Sequence, residues 1–187
     1  MHPWLRKLGI GLLIVAGIAA YWAYAVGFTV DTQPGDERRT IRAALVAEYY
    51  GMPELAEGKS VIIRTRYLDG SYDVDSEFEN ESLAISTLYS VERKSSDALS
   101  VYGSTKVAMS LLETDGVVLQ ERDELFDWGD NSSSEVMVVD GEPVGHVIIA
   151  RKGKAVFSTT IGGLYIEDPA ELSALLMELT ASAERDG

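Results

Sequence analysis

From Leu8 to Val30 the chain runs for 23 residues without a charge, LGIGLLIVAGIAAYWAYAVGFTV. A helix crossing a hydrocarbon core of ~30 Å needs about 20 apolar residues. A backbone in lipid must satisfy its own hydrogen bonds, so helix is the form this stretch predicts. Trp4 stands at one end of the run, and Tyr21, Trp22 and Tyr24 stand at the other. At ~1.5 Å per residue Trp4 and Trp22 lie about 27 Å apart, which matches two headgroup belts.

Charge orients the segment. Arg6 and Lys7 precede it, while Asp31, Asp36 and Glu37 follow. Basic residues are retained on the cytoplasmic side, which predicts a cytoplasmic N-terminus and an exported remainder. The expected location is the cytoplasmic (inner) membrane, crossed once, with lipid as the partner of residues 8–30. A cleaved signal is the rival reading, because Ala23-Tyr24-Ala25 has the small-x-small form of a cleavage site. Against it, the apolar run continues through Val26, Gly27, Phe28 and Val30. Ala16, Ala20, Ala23 and Gly27 recur at a spacing near four and line one side of the helix, as in closely packed membrane helices.

Composition narrows the chemistry. The chain has 187 residues and no Cys, which excludes disulfide frameworks, thiolate metal sites, cysteine nucleophiles and lipidation at a Cys. It has two His, too few for a His-built metal site. Beyond residue 30 lie 14 basic residues and all 30 acids, a net charge of -16. A protein that neutralises nucleic-acid phosphates carries the opposite sign.

The expected organisation is a stub and anchor over 1–30, a linker over 31–35, an extracytoplasmic domain over 36–183 and a frayed tail over 184–187. A helix is predicted from near Asp36, with Ile41, Ala44, Leu45 and Tyr49 as its apolar stripe, ending at Gly51. Asp73, Asp75, Glu77, Glu79 and Glu81 alternate like calcium ligands, but an EF-hand loop starting at Asp73 would put Phe78 at the Gly position and Ala84 at the Glu position. A hairpin accounts for them better. Asp69-Gly70 is a two-residue turn signal, which pairs Tyr67 with Tyr72, Arg66 with Asp73, Thr65 with Val74 and Arg64 with Asp75. Val61, Ile63, Thr65 and Tyr67 then share an apolar face with Tyr72, Val74 and Phe78.

Further strands are expected from alternation at Leu83–Val91, at Leu99–Leu111 with Gly103 as a bulge, and at Val117–Phe126, Val136–Val139, Val144–Ala150 and Ala155–Ile161. Asp127–Ser134 reads as a polar loop. Asp168, Pro169 and Glu171 open a final helix striped by Leu172, Leu175, Leu176 and Leu179. The fold class is α+β: a transmembrane helix, then an antiparallel sheet bracketed by an N-terminal and a C-terminal amphipathic helix.

Chemistry-bearing motifs are sparse. His146 lies in a strand without a catalytic motif, and no G-x-S-x-G elbow occurs. Gly162-Gly163 lacks a phosphate-loop pattern. Asp123, Glu124, Asp127 and Asp130 surround Trp128, the best ligand-like patch. Arg151, Lys152 and Lys154 form the one dense basic tip of the exported part. Asn80 and Asn131 open glycosylation sequons. Neither a catalytic residue nor a cofactor or metal is expected. The function expected is a non-enzymatic, single-pass, membrane-anchored interaction protein, an accessory or assembly subunit of an envelope complex with a protein partner. The alternative is an exported ligand or cation sensor using the Trp128 loop.

Overall fold

A hairpin one residue out of its expected register decides which way much of the sheet faces. Lys59–Arg66 (β2) and Tyr72–Glu79 (β3) pair antiparallel, with Arg66 opposite Tyr72, Thr65 opposite Asp73, Arg64 opposite Val74 and Ile63 opposite Asp75. The loop has three residues, not two. Gly70 N donates to Tyr67 O at 3.1 Å, Tyr67 N donates to Ser71 O at 2.9 Å, and Gly70 sits at φ 95°. This is a turn closed by a left-handed glycine, a geometry that consumes one more residue than a two-residue turn. Side chains alternate with period two, so the extra residue turns one strand over. Tyr72, Val74 and Phe78 face the main core as expected, whereas Val61 and Ile63 point outward and Arg64 points in.

The structure, a computed structural model, describes residues 26–109 and 116–187. The remaining strands are Phe28–Val30 (β1), Ala84–Val91 (β4), Val117–Glu121 (β5), Asn131–Val139 (β6), Glu142–Lys152 (β7) and Ala155–Gly162 (β8). They form one eight-stranded antiparallel sheet in the order β1-β2-β3-β4-β8-β7-β6-β5. Two four-stranded meanders thus meet at the β4–β8 pair. The antiparallel α+β expectation holds.

The helices are Ala43–Tyr50 (α1), Ser95–Met109 (α2), Pro169–Leu175 (α3) and Met177–Asp186 (α4). The stretch expected as a strand from Leu99 is α2. Ala98, Val101, Tyr102 and Met109 face the sheet at helical spacing, against Val147, Ile149 and Val156. The alternating residues Leu99 and Val107 are exposed instead. Residues 110–115, the end of that expected strand and half of the Asp115-Gly116 turn, lie outside the described residues.

The opposite face carries the larger core. Val46 of α1 and Leu172, Leu176 and Leu179 of α3 and α4 cover Val74, Tyr89, Ile148 and Phe157. The expected N-terminal helix is broken in two: a 3-10 turn over Asp36–Arg39, then α1. Its buried stripe is Ile41, Ala43, Val46 and Ala47, while Tyr49 is exposed. Gly51 closes α1 at φ 64°, as its place after the last turn predicts. The single final helix expected from the sequence is broken at Leu176 into α3 and α4, while its start and its buried stripe are as expected. Asp168 accepts from Ala170 N at 2.8 Å, Pro169 opens the helix, and all four leucines of the stripe are buried.

Two segments expected to be loose are tied down. Residues 31–35 are held by Gln33 N donating to Asp36 Oδ2 at 2.7 Å. The tail is helical to Asp186, whose Oδ2 accepts from Arg39 Nε at 3.0 Å, Tyr89 OH at 3.1 Å and Tyr72 OH at 3.2 Å. Its expected fraying is therefore corrected: the Asp186 side-chain carboxylate satisfies hydroxyls over the core.

The end of the apolar run is also corrected. Phe28–Val30 is a strand on β2, and Gly27 turns into it at φ 71°, so neither belongs to a helix. A Cβ on Gly27 would stand 2.6 Å from Thr65 Cγ2, so this glycine answers to the sheet and not to a helix stripe. Among the described residues no helix is long and apolar enough to cross a membrane. The greater part of the run, 8–25, lies outside them, with Trp4, Arg6, Lys7, Tyr21, Trp22, Tyr24, Ala16, Ala20 and Ala23.

Candidate interaction surface

The two polar patches singled out in the sequence prove to be one. Asp130 Oδ2 accepts from Gly153 N at 2.9 Å and pairs with Arg151 at 3.4 Å, and its Oδ1 pairs with Lys152 Nζ at 3.3 Å. Asp130 N returns a bond to Arg151 O at 2.8 Å. The Gly153 amide, with the two bases, holds the Asp130 carboxyl below its usual range. Arg151 also donates to Asn131 Oδ1 and to Ser95 Oγ. Lys154 is exposed at the tip, and Asp127 is exposed beside the loop. Trp128 packs its ring 5.8 Å from Phe157 of the core. The acidic loop and the basic tip therefore neutralise each other, and the tryptophan anchors the loop to the sheet.

The sequons are likewise structural. Asn80 Nδ2 donates to Leu55 O and Glu57 O, and its Oδ1 accepts from Ser82 N and Leu83 N. Asn131 is the acceptor for Arg151. His146 is fully buried; its Nε2 accepts from Ile166 N at 2.8 Å, and its ring stacks 5.3 Å from Tyr165. Burial pushes its pKa down to about 4, so it is a neutral core residue at pH 7. Among the described residues no group of three or more acidic or His side chains is arranged to hold a metal.

The surface that stands out is the outer face of β2, β3 and β4. On the same side of the sheet α2 covers β7 and β8, and it stops short of these strands. Val61, Ile63 and Leu88 are left 52%, 43% and 36% exposed. Between them runs one strand of acids: Asp75 lies between Ile63 and Leu88, Glu77 between Val61 and Ser86, and Asp73 between Thr65 and Ser90. Partial burial, then the neighbouring Glu77 and Asp73, push the Asp75 carboxyl above its usual range. Glu92 is raised in the same way by burial beside Asp73, Asp69 and Asp97. Lys59 is the one base on these three strands that shares the face. Clefts of 540 Å³ and 320 Å³ open along it, the first lined by Val61, Glu77 and Ser86, the second by Asp73, Leu88 and Val101 of α2.

A second apolar groove, of 390 Å³, lies between α1 and the α3–α4 corner, lined by Leu45, Tyr49, Leu175 and Met177. Arg42 and Glu178 pair at 2.9 Å at its edge.

Sequence reasoning missed the outer face because it assigned Val61 and Ile63 to the core. Reading a three-residue loop in LDG was the signal that could have recovered it. No family model, curated protein or solved structure matches the chain.

Proposed function

We propose that this chain is a single-pass, membrane-anchored protein whose exported α+β domain binds another protein, as an accessory or assembly subunit of an envelope complex. The observation that carries the reading is the half-covered sheet. One half of the outer face has a helix packed on it, and the other leaves Val61 and Ile63 of β2 and Leu88 of β4 open to solvent on either side of the acids of β3. Exposed apolar side chains grouped on an uncovered sheet face mark interaction surfaces in soluble domains. The uncharged stretch Leu8–Ala25 supplies the anchor in this reading, and the basic pair before it sets the orientation. The sensor alternative has less support, because the Asp130 carboxylate and the Arg151 guanidinium already spend their valences on each other.

Full-length protein extracted in mild detergent tests the function, and a reporter fused after Gly187 tests the topology. The expectation is a stoichiometric partner that stays bound through size exclusion, with the reporter active outside the cytoplasm. A partner-free monomer, or a reporter in the cytosol, refutes the reading.

A further inference from the structure

We infer that the outer face of β2–β4 seats a basic amphipathic helix of the partner, laid beside α2 so that it completes the half-built second layer. This deepens the interaction reading and rests on it. The dimensions suit one helix. Strands lie ~4.8 Å apart, so β2 to β4 spans about 10 Å, the width of a single helix with its side chains. The trough has a floor with Val61 and Ile63 along one side and Leu88 along the other, and a wall at Val101, which lines the same cleft as Leu88.

Charge selects the occupant. Asp73, Asp75, Glu77 and Glu79 run down the middle of the floor, and Lys59 at one end is the one base on these strands that shares it. Tyr67 OH donates to Asp73 Oδ2 at 2.6 Å, a neutral partner that leaves the negative charge in place. A second copy of this face would set four carboxylates against four, and anionic lipid would be repelled in the same way. The chain's own run from Leu8 to Ala25 carries no charge with which to answer the acids. A helix whose line of contact carries Lys and Arg, with apolar residues to either side, answers both features: the cations reach the carboxylates of β3, and the apolar residues cover Val61 and Ile63 on β2 and Leu88 on β4.

The test uses full-length protein in zwitterionic nanodiscs, with empty discs as the blank. The probe is a fluorescent 18-residue Leu/Lys peptide with a lysine stripe at helical spacing and leucines on both sides of it, and binding is read by anisotropy. Asp75→Asn with Glu77→Gln is expected to weaken binding at least tenfold, and Ile63→Ser to weaken it with the charges intact. Asp140→Asn with Glu142→Gln, at the β6–β7 turn, is expected to leave it unchanged. Three results overturn the inference: equal weakening by the turn variant, equal binding of a Ser/Lys peptide without leucine, or equal binding of a Leu/Glu peptide. Separately, if the Asp75/Glu77 variant still co-purifies with the wild-type partner, this face is not the seat, while the interaction function stands. If wild type binds the peptide but purifies alone, the seat stands and the assembly function fails.

Discussion

Asp36 and Arg64 meet in an ion pair closed off from water: Nη1 to Oδ1 is 2.5 Å, with the two side chains 1% and 8% exposed. Arg39 joins the same Asp36 oxygen at 3.2 Å and runs on to Asp186, and the Arg64 guanidinium lies 4.0 Å over the Tyr72 ring. The 3-10 turn, β2, β3 and the C-terminal helix are thereby joined through one polar knot. Removing one member of such a pair strands a buried charge, at a loss of about 3–5 kcal/mol, whereas replacing both by apolar groups is often near neutral. Asp36→Ala is therefore expected to lower stability by about that amount in urea unfolding, and Asp36→Leu with Arg64→Met to recover most of it. A double variant as unstable as the single one contradicts this account.

The same knot gives the last residues of α4 weight. Without Asp186, the Tyr89 hydroxyl over the core and Arg39 Nε both lose their acceptor, while Arg39 Nη1 keeps Asp36. Stranding buried donors of this kind costs about 1–3 kcal/mol each. Asp186→Ala, or removal of residues 184–187, is expected to lower the melting temperature clearly. A truncated chain that melts with wild type would mean the tail is ornamental.

The register of β2 can be read chemically, because the chain has no native Cys. Ile63→Cys and Val61→Cys are expected to react with maleimide at the rate of an exposed thiol. Ile62→Cys, half-buried against the main core, should react more slowly than either. Fast labelling at 62 with slow labelling at 61 and 63 would restore the two-residue turn.

His146 sets a pH dependence. Its pKa is depressed by burial to about 4, against about 6.5 in an unfolded chain. As pH falls below 6.5 the unfolded state takes up a proton that the native state refuses until about 4, so stability declines across that window. The loss is on the order of 3 kcal/mol. Denaturant unfolding of wild type and of His146→Gln at pH 7 and pH 4.5 should show the gap between them narrowing at the lower pH. A gap independent of pH would mean that His146 titrates normally.

How much of this was legible in the residues depends on whether local chemistry or distant pairing fixed each element. Asp168-Pro169 and the leucine stripe specify the C-terminal helix within one window, and Gly51 ends α1 for a local reason. Leu83, Ile85, Thr87 and Tyr89 alternate cleanly because β4 is central and buried on their side. From Leu99 onward the alternation was misleading, since Ala98, Tyr102 and Met109 hold a helical stripe that smaller and polar residues dilute. In the hairpin a single residue of loop length reversed a whole strand, and hydrophobicity could not arbitrate because Val61 and Ile63 look like core. The Asp36–Arg64–Asp186 knot left no trace in the sequence, because its members are brought together only by the finished sheet. Asp130 and the basic tip were each visible, but their mutual neutralisation required the β6–β7 register that sets Asn131 opposite Arg151.

The short β1 strand gives the domain a mechanical character. Phe28, Thr29 and Val30, the end of the stretch expected to be the anchor, are zipped to Arg66, Thr65 and Arg64. A pull from the N-terminal side loads these three rungs before it reaches anything else. Peeling them moves the load to the segment held by Gln33 on Asp36 and leaves the remaining seven strands in place. The last rung to give way is Val30 on Arg64, the residue that pairs with Asp36, so the edge strand and the knot that closes the fold share one backbone position.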